Sequence, residues 1–374
     1  MADVVVIGGG IVGAAAAYRL ARCGVPVTLV DRADPGQATA AGAGIIAPAT
    51  SLRPLPPFYP LAARAVGFYP ELLAQLAEDG ETNTGYEVVG SLFVAASEQE
   101  AARLDEVQRL IEERRDAGMP NVGEVRRLDG REARDLFPAL ADLPGAIYVA
   151  GSARLDGRLL RDALLRAAER RGARVRRGDA RPVRTGDRVT GVAVDGERIA
   201  ADVLIVAAGA WSSALGDALG LRIPVAPQRG QILHLTVPTS ETGRWPIVVG
   251  FHSHYLLTFP PHRVVAGATR EDGSGYDVRM TAGGVHEALS EALRIAPGLA
   301  PATLHEVRIG LRPASPDQLP LLGPAPGLAN VFLATGHGPS GLQLGPYSGV
   351  VVADLARGAQ PDVDLAPFAP IRFA

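Results

Sequence analysis

The sequence predicts an α/β fold in which a Rossmann-like parallel sheet is joined to a second domain built on antiparallel sheet, and three stretches carry that prediction. The first is Val4-Val5-Val6-Ile7-Gly8-Gly9-Gly10-Ile11-Val12-Gly13, continued by a small, apolar run from Ala14 to Leu20 and then by Val27-Thr28-Leu29-Val30-Asp31. The second is Ala201-Asp202-Val203-Leu204-Ile205-Val206-Ala207-Ala208-Gly209-Ala210-Trp211, which reads as a buried parallel strand whose tip is made of small residues. The third is the region 223–269, where turn residues alternate with short β-rich runs.

The first stretch reads as strand, glycine turn, helix and second strand ending in a carboxylate, the pattern of a dinucleotide cradle. Gly8 permits the tight turn, Gly10 lets backbone N–H groups approach a pyrophosphate, and Gly13 lets the helix close on the strand. The helix N-terminus adds positive potential, and Asp31 is placed to take ribose hydroxyls. From 37 to 51 the chain is rich in alanine and glycine, which suits backbone lying directly against a flat ligand.

Apolar spacing predicts helices over 61–77 and 98–117, with the proline cluster at 53–60 as a connector and a strand over 88–95. Leu155-Asp156-Gly157 precedes an amphipathic helix over 158–171; short strands at 173–175 and 189–194 follow, a return to the nucleotide domain. The second domain is expected to pair strands at 231–236, 247–249, 255–259 and 264–266, followed by a helix over 281–295. The chain then gives a strand over 331–335, a glycine loop and a last helix around 348–357.

A length of 374 residues suits two domains, and 47% hydrophobic content with a formal charge of −3 leaves no electrostatic footprint for nucleic acid or an anionic membrane. The 37 basic residues are all arginine, so no lysine Schiff base and no lysine general base exists in this chain. Cys23 is the single cysteine and reads as a packing residue, which fits a reducing cytoplasm. The apolar N-terminus lacks a basic flank and is broken by glycines, so it is not expected to be a signal sequence. Apolar runs elsewhere are too short to form a transmembrane segment. A homo-oligomer is left open.

Three further segments join the cradle: Leu204 to Ser212, Gly310-Leu311-Arg312-Pro313 with Leu321-Leu322-Gly323, and Ala334-Thr335-Gly336-His337-Gly338-Pro339-Ser340-Gly341. In this order and at these separations the chain resembles the FAD-dependent D-amino-acid oxidase superfamily, in particular its glycine oxidase and D-amino-acid dehydrogenase branches. The resemblance spans nearly the whole chain. It implies an FAD-binding domain assembled from 1–85, 150–220 and 306–374, beside a substrate domain made of 86–149 and 221–305.

By that resemblance FAD would meet Gly8, Gly10, Ile11, Val12 and Gly13 at the phosphate turn, Asp31 and Arg32 at the adenosine ribose, and Ala180 near adenine. Thr39, Ala43, Gly44 and Ile45 would lie along the flavin, with Gly209 and Trp211 at the strand tip. Gly336, His337, Gly338, Pro339, Ser340, Gly341 and Leu342 would pass beside the isoalloxazine, bringing helix-dipole potential to the edge that becomes negative on reduction. Glycine oxidases carry an arginine where this chain has Pro339, and the Gly-His-Gly pattern leans toward the dehydrogenase branch. The C-terminal half has no cysteine, so FAD would be held noncovalently.

The resemblance also supplies the expected chemistry: oxidation of a small carboxylate-bearing amine, such as glycine, a D-amino acid or an N-alkyl amino acid, to the imine by hydride transfer to flavin N5. Arg312 would grip the carboxylate with its planar fork, the alternative being a structural salt bridge. Tyr255 matches a tyrosine that hydrogen-bonds the same carboxylate, or is a core aromatic. Arg270 stands where the sarcosine oxidase branch has a lysine near the flavin. It would act on oxygen, bind a second carboxylate, or point at Glu271 and solvent. His252 and His254 lack a third partner for a metal, and His337 is read as shaping its turn. The electron acceptor would be oxygen, or a quinone or protein as in a dehydrogenase; a flavin subunit of a hetero-oligomeric complex is the other reading.

Overall fold

A computed structural model describes residues 3–238 and 241–374. Its first large sheet has six strands in the order Leu321–Pro324, Val331–Thr335, Val203–Val206, Val4–Ile7, Val27–Asp31 and Arg174–Arg177. All neighbours are parallel except the pair at the Leu321–Pro324 edge. Val4–Ile7 lies inside the sheet with every residue buried, which is why its sequence is apolar without alternation. The helix Ile11–Arg22 packs against Gly157–Arg170 and Gly341–Ala356, and its alanines from Ala14 to Ala17 are buried between them.

The second sheet has eight strands, ordered Thr303–Ala314, Ala226–Thr236, Arg263–Gly267, Tyr255–Phe259, Ile247–Gly250, Ser91–Ala95, Gly145–Val149 and Val125–Leu128. It is antiparallel except where Ile247–Gly250 runs parallel to Ser91–Ala95. Strand alternation divides its side chains. Leu233, Leu235, Leu256 and Val264 pack into a core with the helix Ala282–Ile295, whereas Ile232, Leu257 and Val265 face the other way beside Ala43, Ile45 and Tyr255. The second face is the one that meets the nucleotide side. Among the described residues no helix is long and apolar enough to cross a membrane.

The α/β class and the paired parallel and antiparallel sheets are as the sequence predicted, but several boundaries move. The expected strand over 201–211 is confined to Val203–Val206, and a 3-10 segment, Gly209–Leu215, takes its tip away from the sheet. The expected strand over 88–95 splits at Gly90, whose φ of 74° breaks the extended run, into Glu87–Val88 and Ser91–Ala95 on different sheets. The helix expected over 98–117 is likewise two, Glu98–Ala101 and Leu104–Asp116. Arg188–Val194 pairs with Ala180–Thr185 and Glu197–Ala200 in a separate three-stranded sheet.

Prolines account for two further differences. Phe58–Glu78 begins inside the expected proline connector, because Pro60 sits in the first turn, where an N–H has no intrahelical partner to lose. Gly341–Ala356 begins seven positions before the expected start at 348 and contains Pro346. That proline has no N–H to give the Leu342 carbonyl, four residues back, and the buried Tyr69 hydroxyl donates to this carbonyl instead. Removing the hydroxyl with Tyr69→Phe should leave the carbonyl unpaired and cost about 1–3 kcal/mol in denaturant unfolding of the FAD-loaded protein. An unchanged midpoint would show that the carbonyl finds another donor.

The Thr303–Ala314 strand has no counterpart in the sequence reading. It pairs along the whole of Ala226–Thr236, aligning Gly310 with Gly230 and Arg312 with Gln228. Its sequence, with His305, Glu306, Arg308 and Arg312, lacks the apolar alternation that marks a strand because it forms the edge of the sheet. The stretch 306–314, grouped by sequence with the nucleotide-binding segments, thus runs along the second sheet, while its Leu311 N–H bonds the Gly36 carbonyl on the nucleotide side.

Candidate active site

A cavity of about 560 Å³ opens between the two sheets. Asp31, Arg32, Asp179 and Ala180 line one end of it, and Tyr255, Arg270 and Arg312 line the other. Between them lie Gly8, Gly10, Ile11, Val12, Thr39, Ala43, Gly44, Ile45, Gly209 and Trp211, with His337, Gly338, Pro339, Gly341 and Leu342 across the gap. Gly13, Gly336 and Ser340 do not line it. Gly13 stands behind the wall, with no room for a side chain against the Gly8 carbonyl. Gly336 packs near Leu321 and Ser315, and the Ser340 hydroxyl accepts from Arg53 Nη1 at 2.9 Å.

The cradle geometry follows from its residues. Gly8 has a φ of 108° and lies so close to the Ala207 carbonyl that a Cβ would overlap it. Gly10 begins the helix Ile11–Arg22 without a side-chain cap of its own, and the Ile11 N–H is taken by Thr39 Oγ1 at 3.0 Å. Asp31 accepts from the Gly9 and Ala33 N–H groups, each at 2.6 Å, and from the Gln37 amide at 3.2 Å. Arg32 pairs with Asp34 at 2.7 Å and approaches Asp179 at 3.4 Å.

The helix Gly341–Ala356 also starts without a side-chain cap from its N-cap residue, so two helix N-termini border one cavity. This suits a ligand with negative charge along its length. His337 is buried, and burial pushes its imidazole down to about 4, leaving it neutral at pH 7. Its Nε2 has no partner among the described residues and belongs to a side chain that lines the cavity. A dinucleotide carrying a flat, hydrogen-bonding ring fits these donors, the orphaned nitrogen and the side-chain-poor wall at Ala43 and Gly44. Trp211 stacks on Tyr276 with ring centroids 5.8 Å apart, fixing the indole at the rim.

Arginine dominates the other end. Arg312 Nη1 donates to the Thr269 carbonyl at 2.9 Å and makes no ion pair among the described residues. Burial pulls its guanidinium below the usual arginine value, an effect that Arg270 reinforces and Tyr255 opposes. Tyr255 is pushed up to about 12 by burial, against the lowering influence of Arg312 and Arg270, so it remains a neutral hydroxyl. Arg270 is exposed toward the cavity and has no hydrogen bond or ion pair among the described residues.

Arg53 stands near this cluster without lining the cavity, and the sequence reading missed it. Its guanidinium is lowered to about 10 by burial and by the like charges of Arg270 and Arg312. It lies 5.5 Å from the Phe58 ring centroid. Its position in a proline-rich connector carried no sequence signal, since only the tertiary contact with Ser340 brings it to the site. Gln37, Gly230, Ile232 and Ser253 line the cavity as well, without a motif to mark them.

Arg154 shows the contrasting structural arrangement. It is 1% exposed, and its two terminal nitrogens are engaged by Glu87, Thr258 and the Gly243 carbonyl. His252 and His254 do not line this cavity: His252 is exposed and contacts Glu100 and Glu291, and His254 contacts Glu287 at 3.3 Å.

Known proteins share this architecture over nearly its full length. The chain is 42% identical over 371 residues to the uncharacterized oxidoreductase YurR of Bacillus subtilis (strain 168), covering 99% of each protein. Among solved structures, iminodiacetate oxidase (IdaA) from Chelativorans sp. BNC1 aligns with a TM-score of 0.94 at 44% identity, over 98% of each chain. Glycine oxidase from Geobacillus kaustophilus aligns with a TM-score of 0.87 at 30% identity, over 99% of this chain and 98% of that one. The sequence profile described as FAD dependent oxidoreductase, DAO, matches residues 3–355. With the cradle, the cavity and this profile in agreement along the chain, the protein belongs to the DAO family of FAD-dependent oxidoreductases and uses FAD as its cofactor.

Proposed function

We propose that the protein oxidises the C–N bond of a small amine bearing a carboxylate, such as glycine, a D-amino acid or an N-alkyl amino acid, to the imine. Arg312 carries this reading: a guanidinium withdrawn from bulk water, with one backbone carbonyl as its hydrogen-bond partner, at the cavity end opposite the nucleotide cradle. The relatives named glycine oxidase and iminodiacetate oxidase support it.

FAD, when bound, supplies the acceptor for the two electrons and the hydrogen that leave the substrate carbon. Arg312 offers parallel N–H donors to the carboxylate, and the neutral Tyr255 hydroxyl donates a further bond. Together they fix the direction in which the adjacent C–H bond points. With no lysine in the chain, no carboxylate among the residues lining this end of the cavity, and the His337 imidazole lowered to about 4, the protein brings no base strong enough to deprotonate an ammonium group. The substrate therefore reacts with a neutral nitrogen, whose lone pair becomes the second C–N bond. The protonated imine gives up its proton to solvent and is then hydrolysed.

This mechanism sets a pH dependence. Between pH 6 and pH 9 His337 and Tyr255 stay neutral and Arg53 stays charged, given values of about 4, 12 and 10. The second-order rate constant for anaerobic flavin reduction should thus rise about tenfold per pH unit below the substrate amine's own pKa and level off above it. A flat profile would overturn the neutral-amine step. Mixing the yellow protein anaerobically with a panel of amino acids and N-methyl amines, and watching the flavin bleach, tests the reaction class itself; no bleaching by any carboxylate-bearing amine would sink it. Adding oxygen or a dye afterwards separates an oxidase from a dehydrogenase.

A further inference from the structure

We infer that the substrate of this site is a small amine with two carboxylates, one held by Arg312 and the other by Arg270. The inference rests on the amine-oxidation reading above and narrows it to a substrate class.

The segment Thr269-Arg270-Glu271 sends its side chains in opposite directions. Glu271 is fully engaged away from the cavity: Arg229 donates to it at 2.7 and 3.0 Å, and Gln231 and the Thr269 hydroxyl each donate at 2.7 Å. Reciprocal backbone bonds between Arg229 and Glu271, at 2.9 and 3.0 Å, fix that orientation. Arg270, between Thr269 and Glu271, is left facing the cavity, and the neighbouring carboxylate cannot turn to meet it without abandoning four donors. Arg270 consequently has no ion pair among the described residues, although most arginines of this chain find an acid.

Arg312 reaches the same place from another strand. Its Nη1 donates to the carbonyl of Thr269, the residue immediately before Arg270. The two side chains therefore arise around one peptide unit, both line the same cavity, and Arg312 feels the like charge of Arg270. Arg312 is held across Gly230, where any side chain would strike its guanidinium. The wall near Arg270 and Arg312 is made of Gly230, Ile232, Ser253, Tyr255 and Ala268, which bring no negative charge. The cavity's own acids, Asp31, Asp34, Asp179 and Asp217, line its nucleotide-binding side.

An amino acid with a single carboxylate neutralises one of these two cations and leaves the other without a counter-charge in the cavity. A diacid neutralises both, and each guanidinium can form a bidentate, charge-assisted pair. Arg53, behind Ser340, adds a third positive charge to the same region and strengthens the preference for a doubly charged anion. The two carboxylates can flank the nitrogen, as in an iminodiacid, or lie on one carbon chain, as in an acidic amino acid; the chemistry Arg270 recognises is the same.

The test uses the FAD-loaded protein and two readouts. In the first, acetate, malonate and succinate are titrated against the flavin absorption band; the better diacid should bind at least about tenfold more tightly than acetate. In the second, glycine, N-methylglycine, iminodiacetate and both enantiomers of aspartate are compared for anaerobic flavin bleaching. The best diacid should exceed the best monoacid by at least about tenfold in second-order rate constant, and its identity distinguishes the flanking arrangement from the linear one. Arg270→Gln should bring both ratios to within about twofold of unity, and Arg270→Lys should restore part of the preference through its charge.

Equal handling of mono- and diacids by the unmodified protein would overturn the inference even if the variants did not fold. A preference that survives in Arg270→Gln would remove Arg270 from the role. Monoacids that bleach the flavin as well as diacids would leave the amine-oxidation reading standing and end this one. A diacid binding preference lost in Arg270→Gln, with no amine bleaching the flavin, would keep Arg270 as a carboxylate-binding residue and overturn the amine-oxidation reading, and with it the diacid amine as substrate.

Discussion

Arg312→Ala should lower the second-order rate constant for anaerobic flavin reduction by about 10²–10⁴-fold while the protein keeps its FAD. The guanidinium contributes two charge-assisted bonds to a carboxylate, each worth about 1.5–3 kcal/mol, and at about 1.4 kcal/mol per decade their loss spans that range. FAD retention is expected because Arg312 lies at the opposite end of the cavity from the cradle. Arg312→Lys separates charge from geometry. It keeps the cation but loses the planar fork, so it should recover only part of the rate. Stopped-flow absorbance measures both variants, and an Arg312→Ala protein that reduces its flavin normally would take this residue out of the site.

Gly8→Ala should yield a chain that no longer retains FAD through purification. Two independent obstacles meet at this position. A φ of 108° is open to glycine and strained by about 1–3 kcal/mol for a residue with a side chain. The added methyl group would also run into the Ala207 carbonyl on the adjoining strand. Neither strand can yield easily, since the Gly8 N–H bonds the Val30 carbonyl and the Ala207 N–H bonds the Ile7 carbonyl, each at 2.8 Å. The turn that presents the helix N-terminus must distort instead. Gly283→Ala serves as the control: its position in the helix Ala282–Ile295 is open and its substitution should leave flavin content unchanged. Flavin absorbance per polypeptide distinguishes the outcomes.

What the sequence made legible and what it hid have separate physical causes. The cradle could be read because its constraints are local: consecutive residues must turn, approach a neighbour and enter a helix, so glycine positions appear in the chain itself. The strand Val4–Ile7 was equally plain, being buried on both sides. Thr303–Ala314 was invisible because it lies at a sheet edge and carries charges along its length. The start of Gly341–Ala356 was hidden by Pro346, whose missing donor is replaced by Tyr69 from a helix more than 250 positions earlier in the chain. Arg312 and Tyr255 stood out through resemblance to a family. Arg53 did not, because its place beside Ser340 is made by folding rather than by any pattern in its neighbourhood.

The Gly9 amide donates to the Asp31 carboxylate and the Ile11 amide to the Thr39 hydroxyl, bonds that the polypeptide makes with itself. They brace the glycine turn from both flanks, so that docking need not first freeze a wandering loop. The entropy of ordering that segment is met when the polypeptide folds, and the coenzyme arrives at a mouth already shaped for it.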